Sequence, residues 1–150
     1  MITLTIIVLT SIVSILAFRN NAMMERMIFY PPAVRRGEWH RLLTYGLLHA
    51  DYMHLLFNMF TLYSFATDIE QICKTQLGER MGALCFIILY LSAMLVSILP
   101  TYFKQKENRS YHGLGASGAV SAMIFAYMLI NPMHFMGILF IPVMLPAFLF

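Results

Sequence analysis

The sequence predicts an all-α fold, a polytopic transmembrane helix bundle, and three observations predict it. Of the 150 residues, 60% are hydrophobic and 11% charged, with a mean hydropathy of +0.73, whereas soluble domains carry about 25% charged residues. The apolar residues gather in stretches of helical length, and Pro, Gly and charged residues separate those stretches. This balance excludes a soluble domain with a charged surface. The chain reads as one domain, 1–150, with no linker, internal repeat or low-complexity tract.

The first stretch, Ile2 to Phe18, contains no charge and covers about 25 Å at 1.5 Å per residue, near the lower limit for a span. A signal peptide would have a basic start and a small-x-small cleavage site. Neither is present, since Phe18-Arg19-Asn20 follows. The longest connection, Arg19 to Ala50, interleaves Met23, Met24, Met27, Ile28, Phe29 and Tyr30 with Arg19, Glu25 and Arg26 before Pro31-Pro32 breaks any helix. Such an amphipathic segment is expected to lie among lipid headgroups and pack on the bundle; a plain hydrophobic connector is the equal alternative. Further helices are expected over Asp51 to Thr67, Gly82 to Phe103, Ser117 to Ile130 and Phe135 to Phe150. Asp51, three residues before His54, suits the N-cap of the second.

Cys73 and Cys85 fall on what read as opposite depths of the third span, so they suggest neither a disulfide nor a metal pair. His49 and His54 are five apart, whereas two ligands on one helical face need a spacing of three or four, and no carboxylate accompanies them. No metal is expected.

Two clusters carry chemistry. In Gly115-Ala116-Ser117-Gly118, the glycines, with Gly113, allow backbone paths closed to other residues and can aim a hydroxyl at a helix start. An ordinary N-cap serine is the alternative. In His54-Leu55-Leu56-Phe57-Asn58, an imidazole and a carboxamide four residues apart share one helical face. Polar groups at membrane depth point to function, with interhelical hydrogen bonding as the alternative. A serine with His and Asn donors has the parts for amide hydrolysis, an activated hydroxyl and preorganised oxyanion donors. The small-residue face Gly118-x-x-x-Ala122-x-x-x-Ala126 would let the fourth helix approach another closely.

Taken in order, Trp39-His40-Arg41, His49 through His54-Leu55-Leu56-Phe57-Asn58, and Gly115-Ala116-Ser117-Gly118 resemble the motif set of the rhomboid family of intramembrane serine proteases. The resemblance implies Ser117 as nucleophile, and His54, Asn58 and the backbone N–H of Ser117 as the oxyanion hole. Gly115 and Gly118 flank the nucleophile. His49 would support the loop and second helix, and Arg41 would brace the long first loop. The implied fold has six helices around a water-filled cavity, the fourth beginning at the nucleophile. On that pattern the chain stops at Phe150, within the fifth helix.

The sequence departs from the family pattern at three points. His40 interrupts the Trp-Arg pair. Ser121 stands one turn after the nucleophile, where several members carry an aromatic residue. The family's general base, a histidine on the sixth helix, would lie beyond Phe150. His134, 17 residues after Ser117, would be about 25 Å away on a continuous helix, against roughly 3 Å for proton transfer. His112 reads as a solvated loop residue, and the resemblance assigns His54 elsewhere. The expectation is a serine endopeptidase that uses a Ser–His dyad, with these 150 residues alone inactive.

The resemblance implies no cofactor, and substrates that are transmembrane segments of other membrane proteins, cut within the lipid bilayer; the cell membrane is the expected location. The net charge of +3 favours anionic lipid headgroups over nucleic acid, because there is no soluble basic face to hold a duplex. Eight of the ten Lys and Arg residues lie after the first and third spans, and Lys74 and Arg80 between the second and third. Charge bias would put the larger group in the cytoplasm; the resemblance implies the reverse, with the amino terminus cytoplasmic. Two other readings stay open: a non-catalytic rhomboid-like protein that binds client helices, and a small transporter or channel component using His54 and Asn58.

Overall fold

A computed structural model describes residues 1–137 and 144–149. The described chain is mostly helical. Helix α1 (Ile2–Phe18) leads into three short helices, α2 (Asn21–Met27), α3 (Pro31–Arg35) and α4 (Arg41–Thr44), the last continued by a 3-10 turn over Tyr45–Leu47. Then come α5 (Tyr52–Leu77), α6 (Glu79–Gln105) and α7 (Ser117–Ile130).

Pro31-Pro32 separates two helices by starting the second. Both prolines lie in the first turn of α3, where a missing N–H costs nothing and the fixed φ suits the helix. Asp51 caps α5, its carboxylate accepting from His54 N at 2.7 Å. Helix α5 runs ten residues past the expected end at Thr67, because Asp68, Glu70 and Lys74 end the apolar run without ending the helix. The Lys74–Glu70 pair, one turn apart at 2.9 Å, supports that extension. Gly78, at φ +79°, then turns the chain directly into α6.

Helix α5 is the hub, packing against α1, α6 and α7. Its buried stripe of Leu55, Met59, Leu62, Ala66 and Ile69 meets Phe86, Tyr90, Met94 and Ile98 of α6 and Ala119, Val120, Met123 and Tyr127 of α7. Glu70 carries the same face to the start of α1. Its buried carboxylate accepts from Ile2 N at 2.9 Å, Thr3 N at 2.8 Å and Thr3 Oγ1 at 2.8 Å, and so satisfies N–H groups that a helix start leaves without partners.

Two expectations are corrected. The fifth apolar stretch is not helical where it is described: β1 (Phe135–Gly137) pairs antiparallel with β2 (Met144–Pro146), and a 3-10 turn over Ala147–Leu149 follows. In a helix, Pro146 would lack the N–H that bonds the residue 142 carbonyl, and its ring would clash there. Residues 138–143 and Phe150, part of the expected fifth helix, lie outside the described residues. The cysteines, read as lying at opposite depths, are neighbours: both are free, and the two thiols are close enough to interact. The short α5–α6 turn folds the two helices back on each other, so positions on either side of Gly78 return to one level.

Among the described residues, α6 is long and apolar enough to cross a membrane, and α1 and α7 are shorter apolar helices.

Candidate active site

Helix α7 opens at Ser117, and its N-cap is Ala116, which supplies no side-chain bond. The N-cap reading of Ser117 is therefore corrected: it is the first helical residue, exposed, and among the described residues its hydroxyl has no hydrogen-bond partner. At that position the backbone N–H also lacks an intrahelical acceptor and lies at the positive end of the helix dipole.

The preceding loop is held in place by backbone bonds. Gly113 exchanges two hydrogen bonds of 2.9 Å with Phe29, and Gly115 N donates to Tyr45 O at 3.0 Å. Thus the long first connection and the 3-10 turn set the height of the loop before the serine. Gly115 has φ +112°, a backbone conformation unfavourable for residues with a Cβ. The space that a Cβ there would fill lies 3.0 Å from His54 Cε1, 3.3 Å from His54 Nε2 and 3.9 Å from Ser117 Oγ. Ser117 and His54 thus face one small opening, floored by a glycine. Behind them, Gly118 lets α7 approach α6 so closely that a side chain there would run into Ser97.

Asn58, buried one turn below His54, donates Nδ2 to His54 O at 3.0 Å. That bond uses one of its two amide hydrogens. His49 is fully buried and packs edge-on to His54, with ring centroids 5.0 Å apart. Its Nδ1 lies 3.0 Å from Ser14 Oγ, while Ser14 Oγ donates to Leu47 O at 2.8 Å. One hydroxyl hydrogen cannot serve both, so Nδ1 carries the proton and Nε2 the lone pair, which has no partner among the described residues. Burial, and next the neighbouring His54, push the His49 imidazole down to about 4, with Asp51 opposing.

Arg41, also buried, donates Nη1 to Glu25 O at 2.6 Å and Ile28 O at 2.8 Å, and Nε to Glu38 at 2.8 Å. These bonds tie α2 and the segment after it to α4. The Arg41 bond also holds the Glu38 carboxyl below the ordinary carboxylate range. Trp39 and Ser121 are exposed, outside these networks.

The other histidines stand apart. His134 follows the far end of α7 and bonds Tyr127 Oη. His112, expected to be a solvated loop residue, is exposed yet stacks on Tyr30 at 4.9 Å with the rings 8° from parallel. Among the described residues, no three His, Cys, Asp or Glu side chains converge as a metal site would need. Sequence reasoning missed Ser14, Phe29 and Tyr45. Ser14 could have been found as a polar residue in an apolar span; the other two act through backbone atoms, which carry no residue signature.

A family model described as Rhomboid domain matches residues 36–150. The chain is 33% identical over 99 residues to "Putative rhomboid protease YdcA" of Bacillus subtilis (strain 168), covering 66% of this chain and 45% of that protein. It is 28% identical over 124 residues to "RHOMBOID-like protein 12, mitochondrial" of Arabidopsis thaliana, covering 77% of this chain and 36% of the relative. With "Rhomboid protease GluP" of Bacillus subtilis (strain 168) it shares 32% identity over 87 residues, 58% of this chain and 15% of that protein. The chain spans less than half the length of these relatives.

Proposed function

The chain belongs to the rhomboid family, whose members are integral membrane proteins, and from that premise we propose that it is a multi-pass intramembrane serine endopeptidase of the cell membrane. The observation that carries this reading is the opening at Gly115, which Ser117 Oγ and the His54 ring share. In the proposed reaction, Ser117 Oγ attacks a scissile carbonyl and its proton passes to a histidine outside these 150 residues. The resulting oxyanion accepts hydrogen bonds from the Ser117 N–H, His54 and the second amide hydrogen of Asn58. The base then protonates the leaving amine, and water hydrolyses the acyl-enzyme. No cofactor enters these steps.

The polytopic reading draws support from the outward faces of the helices. Leu9 on α1, Phe60 on α5, Ile88 on α6 and Leu129 on α7 are all exposed. In water such faces would be aggregation-prone; in lipid they are solvated. The substrates we propose are transmembrane segments of other membrane proteins. Their backbone must unwind before Ser117 reaches a carbonyl, so small and helix-destabilising residues near the cut favour cleavage.

A second reading, a rhomboid-like protein that binds client helices without cutting them, draws on the family match itself, since one matched relative is named only as a "RHOMBOID-like protein" and not as a protease. The experiment that separates the readings is cleavage of a membrane-embedded reporter helix by the full-length protein and its Ser117→Ala variant. Cleavage by the first alone supports the protease; client capture by both, without cleavage, supports the binder.

A further inference from the structure

The basic residues of the two connections on the Ser117 side converge. Pro32, Arg35 and Arg36, at and just after α3, and Lys106, Glu107 and Arg109, after α6, line one polar cavity of about 250 Å³. The Arg35–Glu107 ion pair joins its two walls. The remaining cations are poorly compensated. Arg36 has only Glu38 at 3.8 Å, and that carboxylate is already bonded at 2.8 Å by Arg41. Lys106 and Arg109 have no ion-pair partner among the described residues. Four cations thus line the cavity with one carboxylate. Two guanidinium forks and an ammonium left in excess suit a phosphate group, which takes bidentate bonds from Arg and a point charge from Lys.

We propose that this cavity binds the phosphate of an anionic lipid headgroup, and that the ligand clamps the first connection to the one that leads into α7 at Ser117. The position supports a clamp. Arg35 and Arg36 follow Phe29 by a few residues, Arg109 precedes Gly113 by four, and Phe29 and Gly113 are the backbone-bonded pair that fixes the loop before Ser117. The lipid source follows from the membrane setting of the family: the cavity borders the end of α6, where Phe103 is exposed as lipid-facing groups are. The same ligand accounts for basic residues gathering on the Ser117 side of the bundle, independently of the bias that charge exerts on topology. It does not require Ser117 to be a nucleophile, so it stands or falls separately from the protease reading.

The test is thermal unfolding of the full chain in neutral detergent, with added phosphatidylglycerol, phosphatidylcholine or inorganic phosphate. Phosphatidylglycerol at about ten times its apparent Kd should raise Tm by about 3–6 °C, and the rise should shrink in about 0.5 M salt. Phosphatidylcholine should give no rise. The variant Arg36→Gln/Lys106→Gln/Arg109→Gln, which keeps the Arg35–Glu107 pair, should lose the rise while unfolding near the wild-type Tm in phosphatidylcholine. Arg109→Gln alone should at least halve it, which keeps the test valid if the triple variant fails to fold. A phosphatidylglycerol shift of unchanged size in these variants would overturn the site. An equal rise with inorganic phosphate alone would overturn the lipid assignment.

Discussion

A Cβ on Gly115 would crowd the His54 ring. Gly115→Ala would combine a strained φ of +112° with a Cβ 3.0 Å from His54 Cε1. Since α7 is anchored through the same loop, the His54 ring would have to move. We expect Gly115→Ala to lower kcat/KM by at least about tenfold and to destabilise the fold by about 1–2 kcal/mol; reporter cleavage and thermal unfolding measure the two. His49 gives a pH signature. Its folded pKa of about 4 lies below the ordinary value near 6.5, so as pH falls through 6.5 the unfolded chain takes up a proton that the folded chain refuses until about pH 4. Stability is complete above 6.5 and is lost across that window, by an amount on the order of 2–3 kcal/mol. Tm measured from pH 4 to 7 should slope downward toward acid in the wild type and flatten in His49→Gln.

At the scale of elements, α5 unites the molecule: its first turns present His54 and Asn58, and its last third presents Glu70 to the start of α1. Glu70→Ala should leave the Ile2 and Thr3 N–H groups without their acceptor, with the Thr3 hydroxyl keeping only Ala66 O at 3.3 Å, and cost about 3 kcal/mol, lowering Tm by about 6–12 °C. Glu70→Gln, which retains one acceptor oxygen, should lose less. Much of this architecture was legible beforehand. The bounds of α1 and α7 and the Asp51 cap follow from charge-free length, a glycine-rich start and an Asx residue at the right offset. What escaped had physical reasons. Apolarity marks where a helix meets an apolar environment and not where it ends, so α5 outran its apolar run. The stretch from Phe135 reads as apolar at helical length, but its prolines decide against a helix, and hydropathy gives them no weight. In the site, the motif residues stand out by type, whereas the Gly115 N to Tyr45 O and Phe29–Gly113 bonds that position them are contacts between backbones far apart in sequence.

For the whole molecule, the arrangement of connections matters most. The first long connection and the one before α7 are joined at Phe29–Gly113, and both meet the basic cavity, while the α5–α6 turn belongs to the other end of the bundle. With the amino terminus cytoplasmic, a cysteine at Lys106 in a full chain lacking Cys73 and Cys85 should react with an impermeant reagent outside the cell, and one at Lys74 should be protected. The opposite pattern would mean that charge bias sets the topology.

We propose Ser117, at the mouth of α7 and beside His54, as the nucleophile. Treating the full-length protein with a fluorophosphonate probe and mapping the adduct by peptide mass spectrometry tests it most directly. The expected result is one adduct on the Ser117 peptide, lost in Ser117→Ala and strongly reduced in the 150-residue chain. An adduct on another residue, or none under conditions where reporter cleavage proceeds, would rule Ser117 out as the nucleophile.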